Sequence, residues 1–225
     1  MGQTSGHPYP YADRADAGRV LAGALAGYRG RNGLLVLGLP RGGVPVAAEV
    51  AAALEAALDV VLVRKIGHPR QPELAAGAVA EAAGERTAVW NDDVVRYWLA
   101  ASPAAGQAEL DAVLAAESAE LQRRAGRYRP GRPIQGIQGN PVIVVDDGLA
   151  TGATMRAALA VVRSLEPQWL VAAAPMSCAP VGGIAALADD VVIPWADSTL
   201  SSVGQAYRSF GQTGDEEVRA LLRVE

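Results

Sequence analysis

The stretch Val142–Thr154, which reads VIVVDDGLATGAT, decides the fold class of this 225-residue chain. Its four consecutive hydrophobic residues predict a strand buried on both faces, as strands of parallel sheets are. Two carboxylates follow, Asp146 and Asp147, and a turn of small residues then leads into a predicted helix at about 154–165. A strand, a turn and a helix in this order form the repeating unit of α/β folds.

The same alternation continues on both sides of this segment. Strands are predicted at 34–38, 59–65, 141–147, 169–174 and 190–193, and a hairpin at 77–82 and 86–90. Helices are predicted at 13–28, 44–54, 92–100, 104–125, 154–165 and 180–188. The sequence therefore predicts a single three-layer α/β domain over 1–225, with a mainly parallel sheet flanked by helices. Its core spans about 13–193, and an irregular cap with a short helix spans about 194–225.

Composition narrows the function classes. Half of the residues are hydrophobic and 20% are charged, which predicts a sizeable core and argues against disorder. The net charge of -4 argues against an overall basic nucleic-acid binder. The lone Cys178 excludes a disulfide framework. A long uncharged stretch, Gln168–Ala188, contains prolines and glycines, so we expect no membrane span. Because no targeting signal is visible, we expect a cytoplasmic protein.

The turn after Asp147 has the chemistry of a phosphate site. Its small residues allow backbone N–H groups to approach an anion, and the hydroxyls of Thr151 and Thr154 add donors. The following helix N-terminus adds a partial positive charge. A tight turn capped by aspartate is the structural alternative, but adjacent acids at a buried strand end are costly without a ligand. The pattern thus predicts a phosphate cradle beside two acids that bind hydroxyls or face magnesium.

Two further groups follow predicted strands. Arg41, Gly42 and Gly43 follow the strand at 34–38, where the arginine offers a fork of donors and the glycines permit unusual backbone conformations. Their spacing does not fit a dinucleotide fingerprint, and an ordinary turn is the alternative. The strand at 59–65 ends with Arg64 and Lys65, and Lys65 is the single lysine of the chain. We expect both cations to face the same crevice at the sheet edge, although a solvated strand end would look the same.

Val142–Thr154 resembles the phosphoribosyl pyrophosphate (PRPP) motif of the type I phosphoribosyltransferases. The resemblance implies that Asp146 and Asp147 hold the ribose hydroxyls of PRPP. It implies a 5′-phosphate site formed by Ala150, Thr151, Gly152, Ala153 and Thr154. Mg²⁺ is the implied cofactor; no direct protein ligand is assigned, but the two acids could reach it through PRPP hydroxyls or water. Some family members carry a third acid where this chain has Ala150.

The resemblance extends to the other groups. Arg41, Gly42 and Gly43 resemble the family's pyrophosphate loop, which often contains a cis non-proline peptide. Arg64 and Lys65 are implied to hold pyrophosphate, beside a lid at 66–77 that we expect to be poorly ordered without ligand. In that lid His68 and Arg70 either contact pyrophosphate or are plain surface residues.

The cap at about 194–225 resembles the hood that receives the base in purine-type members. The stretch Asp197–Ser202, where such members usually carry a base-stacking ring, has none. Trp195 is either a substitute platform or a packing residue. Weak turnover of ordinary purines is therefore expected.

The whole pattern is most similar to a bacterial branch of predicted phosphoribosyltransferases. It implies a homodimeric enzyme that transfers 5-phosphoribosyl from PRPP to a small nitrogenous base and releases pyrophosphate. Asp146, Asp147, Arg41 and Lys65 are the implied catalytic residues. The alternative is a non-catalytic regulator that senses PRPP or a nucleotide. A basic helix end would give the same pattern as its one supporting feature, an arginine cluster around Tyr128. The cluster consists of Arg123, Arg124, Arg127, Arg129 and Arg132.

Overall fold

The computed structural model describes residues 10–68, 71–82, 85–101, 103–128 and 136–223. Its central sheet has five parallel strands: β1 (Leu35–Gly38), β2 (Ala57–Val60), β6 (Pro141–Val145), β7 (Trp169–Ala173) and β9 (Asp190–Val192). They lie in the order β2–β1–β6–β7–β9, and every neighbouring pair is parallel. The predicted α/β fold with a mainly parallel sheet is confirmed.

The remaining elements surround this sheet. The helices are α1 (Arg14–Ala24), α2 (Gly43–Leu54), α3 (Asp92–Ala101), α4 (Pro103–Tyr128), α5 (Ala153–Ser164), α6 (Gly182–Ala185) and α7 (Asp215–Leu221). Short 3-10 turns occupy Ala26–Tyr28 and Val203–Ala206. The other strands are β3 (Leu62–His68), β4 (Gln71–Ala82), β5 (Glu85–Trp90), β8 (Met176–Ser177) and β10 (Trp195–Ala196). None of the helices in the described ranges is both long and apolar enough to cross a membrane.

Both faces of the central sheet are buried, which explains its uninterrupted hydrophobic strands. In β6 the side chains of Val142 and Val144 pack on one side with α5. Those of Ile143 and Val145 pack on the other side with α1 and α2. Successive side chains of a strand point to opposite faces, so a strand covered on both sides must be hydrophobic throughout. The three predicted layers follow from this arrangement.

The strand predicted at 59–65 is wrong in its extent. β2 ends at Val60, where pairing with β1 ends, and β3 begins at Leu62 in a separate antiparallel sheet of order β3–β4–β5. Hydrophobic residues continue across the break because each strand is buried in its own sheet, so the sequence pattern hides it. The described residues of the expected lid at 66–77 belong to β3 and β4, residues 69–70, including Arg70, lie outside the described ranges, and the order of the lid without ligand stays a prediction.

Candidate active site

The two acids and the Pro-Arg-Gly-Gly turn meet because β1 and β6 are neighbours. Asp146 and Asp147 directly follow β6, and the turn at 40–43 directly follows β1. The Leu39 amide donates to the Val145 carbonyl oxygen at 2.9 Å, which fixes one loop against the other. The peptide bond between Pro40 and Arg41 is cis, as the resemblance implied for this loop. The carboxyl ends of the central strands therefore carry the site.

Gly42 and Gly43 are required because the two loops approach closely. A Cβ atom on Gly42 would lie 2.0 Å from the Asp147 carboxylate oxygen Oδ2. A Cβ atom on Gly43 would lie 2.7 Å from the Val145 carbonyl oxygen. Real side chains do not occupy such distances, so a side chain at Gly42 would displace the Asp147 carboxylate or the turn, and one at Gly43 would clash with backbone. The sequence analysis selected both glycines for their conformational freedom, but it did not predict this close packing.

The acid pair is largely, but not fully, removed from solvent and is electrostatically costly. Burial raises the pKa of Asp146, and the negative charge of Asp147 raises it further. Burial also raises the pKa of Asp147, against the hydrogen bond and charge of Arg14. The Asp147 amide donates to Asp146 Oδ1 at 2.9 Å. A ligand that brings hydroxyl donors or a cation would stabilise the ionised pair.

Arg14, which the sequence analysis did not single out, belongs to this site. Its Nε donates to Asp147 Oδ2 at 2.8 Å, from the first turn of α1. Both side chains of this ion pair are largely buried, at 14% and 15% exposed. No local motif indicates the pairing, because the partners stand 133 positions apart in the chain. Only the tertiary fold reveals it.

The turn after the acids has the backbone expected of a phosphate cradle. Gly152 adopts a φ of +68°, a left-handed conformation that favours glycine, and α5 begins at the next residue. Ala150, Thr151, Ala153 and Thr154 are exposed. Because α5 has twelve residues, its N-terminal amides provide a partial positive charge toward this turn. An anion can therefore reach the predicted 5′-phosphate site.

Arg41 reaches toward the C-terminal helix. Its guanidinium lies 3.8 Å from an Asp215 carboxylate oxygen. Asp215 also accepts hydrogen bonds from the Tyr128 hydroxyl and from Arg127, and these contacts keep its pKa below the usual range. Asp215 is the first residue of α7, whose N-cap Gly214 forms no side-chain hydrogen bond. Arg41 is 44% exposed, so it remains accessible to a ligand above the turn.

The expectation that Arg64 and Lys65 face one crevice is wrong. They are consecutive residues of β3, and consecutive side chains point to opposite faces. Arg64 pairs with Glu117 of α4 at 2.6 Å. Lys65 lines a cleft of about 350 Å³ on the α5 side, together with Thr154 and Arg156. Of the two, only Lys65 is on the side of the turn at 150–154, where the 5′-phosphate is predicted to bind.

This division gives a testable difference between neighbours. We expect Lys65→Ala to weaken Mg²⁺–pyrophosphate binding about tenfold, a change of about 1.4 kcal/mol, through loss of a charged donor. Arg64→Ala should leave that affinity unchanged and lower stability by up to about 1 kcal/mol through loss of its ion pair. Calorimetric titration and thermal unfolding of both variants measure the two effects. Equal affinities for the two variants would contradict the assignment.

Two aromatic side chains of the hood, Tyr207 and Phe210, lie after Asp197–Ser202, the stretch where the resemblance places a base-stacking ring. The Tyr207 hydroxyl donates to the Asp147 carbonyl oxygen. The Tyr207 ring stacks on Phe210 with 4.9 Å between centroids, and the Arg14 guanidinium lies 4.0 Å above Phe210. Trp195 is partly buried and meets Tyr11 edge-on at 5.9 Å. Its packing role is thus observed, and its role as a base platform stays a prediction.

The described members of the arginine cluster around Tyr128 have carboxylate partners. Arg123 and Arg124 both bond to Glu120 of the same helix, and these bonds lower the pKa of Glu120 to about 2. Arg127 bonds to Asp215. Arg129 and Arg132 lie outside the described residues. Of the described members, Arg127 connects the end of α4 to α7, whereas Arg123 and Arg124 are paired within α4.

The acid pair fits a magnesium ion that arrives with a phosphate ligand. Among the described residues no group of three or more His, Cys, Asp or Glu side chains could hold a metal ion. Mg²⁺ prefers oxygen ligands, keeps several waters, and is usually bound through one or two carboxylates plus substrate phosphates. Asp146 and Asp147 offer two carboxylates of this kind beside the phosphate turn.

The fold and site define an α/β protein in which an exposed turn before a helix, a largely buried acid pair and a glycine-rich loop lie at one sheet edge. Residues 12–181 match the family model described as phosphoribosyl transferase domain. The chain belongs to this family.

Relatives and a solved structure agree. "Putative phosphoribosyl transferase Rv0571c" of Mycobacterium tuberculosis H37Rv is 47% identical over 213 residues, which are 94% of this chain and 46% of that protein. A counterpart from strain CDC 1551 matches equally. The chain thus spans about half the length of these curated relatives. The crystal structure of TT1426 from Thermus thermophilus is similar with a TM-score of 0.80 at 43% identity, over 94% of this chain and 97% of that one.

Proposed function

We propose that this protein transfers the 5-phosphoribosyl group of PRPP to a small nitrogenous base and releases pyrophosphate. The observation that carries the proposal is the contact between two loops at one sheet edge. The largely buried acids Asp146 and Asp147 and the exposed turn at 150–154 come from one loop, and Gly42 of the other lies against Asp147. Family membership supports the same chemistry.

The proposed roles follow from the geometry. The turn at 150–154 binds the 5′-phosphate with backbone amides and hydroxyls, and Asp146 and Asp147 accept hydrogen bonds from the ribose hydroxyls. Arg41 and Lys65 neutralise charge on the departing pyrophosphate as the bond to C1 breaks. A nitrogen of the base attacks C1, and the protein mainly orients the reactants. Bound Mg²⁺ would supply further charge neutralisation on the phosphate oxygens.

The regulatory alternative gains no support from the described residues. Its one sequence feature was the arginine cluster, whose described members are paired with carboxylates. Cytoplasmic location and homodimeric assembly remain predictions of the sequence. The transferase proposal is tested by mixing protein, Mg²⁺–PRPP and pooled nucleobases and assaying pyrophosphate. Base-dependent release supports it, and PRPP binding without release would favour the regulator.

The hood predicts a restricted choice of acceptor. Phe210 already contacts the Tyr207 ring and the Arg14 guanidinium, so these two contacts compete with a base for its ring. Stacking on a base contributes about 1–3 kcal/mol in nucleic-acid binders. We therefore expect adenine, guanine, hypoxanthine and xanthine to react with kcat/KM below about 10⁴ M⁻¹s⁻¹, the lower end of ordinary enzymes.

Steady-state kinetics at saturating PRPP, with uracil and orotate alongside the purines, tests this expectation. Turnover of any common purine above that value would contradict it. In that case Trp195→Ala would show whether the indole provides the platform, because loss of a stacking partner would raise KM for the base.

A further inference from the structure

Arg14 connects three parts of the molecule that are distant in sequence. Its Nε bonds to Asp147 of the acid pair at 2.8 Å. Its Nη1 donates to the Gly211 carbonyl oxygen at 2.7 Å. Its guanidinium lies 4.0 Å from the centroid of the Phe210 ring. One side chain of α1 thus joins the acid loop to the hood.

A second set of contacts reinforces this connection. The Tyr207 hydroxyl bonds to the Asp147 backbone, and its ring stacks on Phe210. Tyr11, whose ring is fully buried, lies next to Tyr207 with 5.6 Å between the two ring centroids. The hood segment 207–211 therefore contacts both the backbone of Asp147 and, through Arg14, its carboxylate.

The orientation of the Asp147 carboxylate depends on these neighbours. Oδ2 lies against Gly42, where an added Cβ would be 2.0 Å away, and it accepts the hydrogen bond from Arg14. A charged hydrogen bond with fixed geometry selects one rotamer of a carboxylate more strongly than a neutral bond does. Surface ion pairs contribute little to the free energy of unfolding, because solvent screens them. The pair of Arg14 and Asp147 is mostly removed from solvent and is therefore screened less. Losing Arg14 would leave the acid both less ionised and less fixed.

We infer that Arg14 is a positioning residue that holds Asp147 for the ribose and couples its orientation to the hood segment 207–211. The inference rests on the proposed function, because it assigns Asp147 to the ribose of PRPP. It extends that function by linking the region expected to receive the base to the group expected to hold the sugar. Order in the hood then favours the binding-competent acid, and PRPP binding in turn favours an ordered hood.

The test compares Arg14→Gln with Arg19→Gln. Arg19 lies on the same helix, is 58% exposed and contacts only surface carboxylates among its described partners, so it is a matched control. We expect Arg14→Gln to weaken Mg²⁺–PRPP binding about tenfold by calorimetry, and Arg19→Gln to change it less than about twofold. In the Asp147→Asn background, Arg14→Gln should add little further loss, because its partner carboxylate is already gone.

A second measurement needs no ligand. Amide hydrogen exchange of residues 207–213 should accelerate in Arg14→Gln and remain unchanged in Arg19→Gln. Equal PRPP affinities for the two variants, additive losses in the double variant, or unchanged exchange in the hood would each overturn the inference. If the parent protein binds no PRPP, the proposed function fails, and the exchange experiment still decides whether Arg14 orders the hood.

Discussion

Gly42→Ala is expected to weaken Mg²⁺–PRPP binding by one to two powers of ten. The added Cβ would lie 2.0 Å from Asp147 Oδ2 and 3.3 Å from Arg14 Nε. Relief requires either rotation of the carboxylate away from Arg14 or a shift of the turn that carries Arg41. Overpacking of this kind costs roughly 1–3 kcal/mol. Each route of relief moves a group that the account assigns to PRPP.

Gly182→Ala is a suitable control for this change. A Cβ atom on Gly182 meets nothing within 4 Å, and its backbone does not require glycine. Calorimetric titration of both variants with Mg²⁺–PRPP, alongside thermal unfolding, separates a local effect from general destabilisation. A Gly42→Ala protein that binds PRPP like the parent would show that the contact between turn and acid does not matter for the ligand.

Asp147→Asn is expected to weaken PRPP binding about ten- to a hundredfold while the protein stays folded. Hydrogen bonds to charged groups contribute about 1.5–3 kcal/mol, and the amide forms weaker ones to ribose hydroxyls. The substitution also removes the charge that raises the pKa of Asp146, so relief of repulsion offsets part of the lost ion pair with Arg14. The melting temperature should therefore change little.

Asp93→Asn provides the matched control for this variant. Asp93 is an exposed residue in the first turn of α3, where it pairs with Arg96. Calorimetry should detect unchanged PRPP affinity in the control and a clear loss in Asp147→Asn. Equal binding by the two variants would remove Asp147 from the site.

The sequence predicted the parts of this fold that depend on local pattern. Uninterrupted hydrophobic strands predict burial on both faces, and the glycine-threonine turn before α5 predicts where the helix starts, to within one residue. The break between Val60 and Leu62 was not predictable, because hydrophobic residues continue through it. The opposite orientations of Arg64 and Lys65 do not depend on that break, because consecutive side chains of any strand point to opposite faces. A strand in the antiparallel sheet presents one of them to α4 and the other to α5.

The site was predictable where one segment supplies it and was missed where distant segments meet. The residues of the acid loop and the phosphate turn are contiguous, so their chemistry can be read from the sequence. Arg14 and Asp215 form their hydrogen bonds with residues far along the chain, and neither belongs to a sequence motif that predicts ligand binding. Tyr207 and Phe210 were not predicted, because they lie beyond Asp197–Ser202, the stretch where the resemblance places a base-stacking ring.

The central claim is that PRPP binds across the turn at 150–154 and the acid pair. A crystal structure of the protein with Mg²⁺ and PRPP tests it most directly. We predict the 5′-phosphate on the amides of residues 150–154, the ribose hydroxyls within hydrogen-bond distance of Asp146 and Asp147, and the pyrophosphate beside Arg41. PRPP bound elsewhere, for example in the cleft beside Lys65 and Arg156 with the acid pair untouched, would contradict the account.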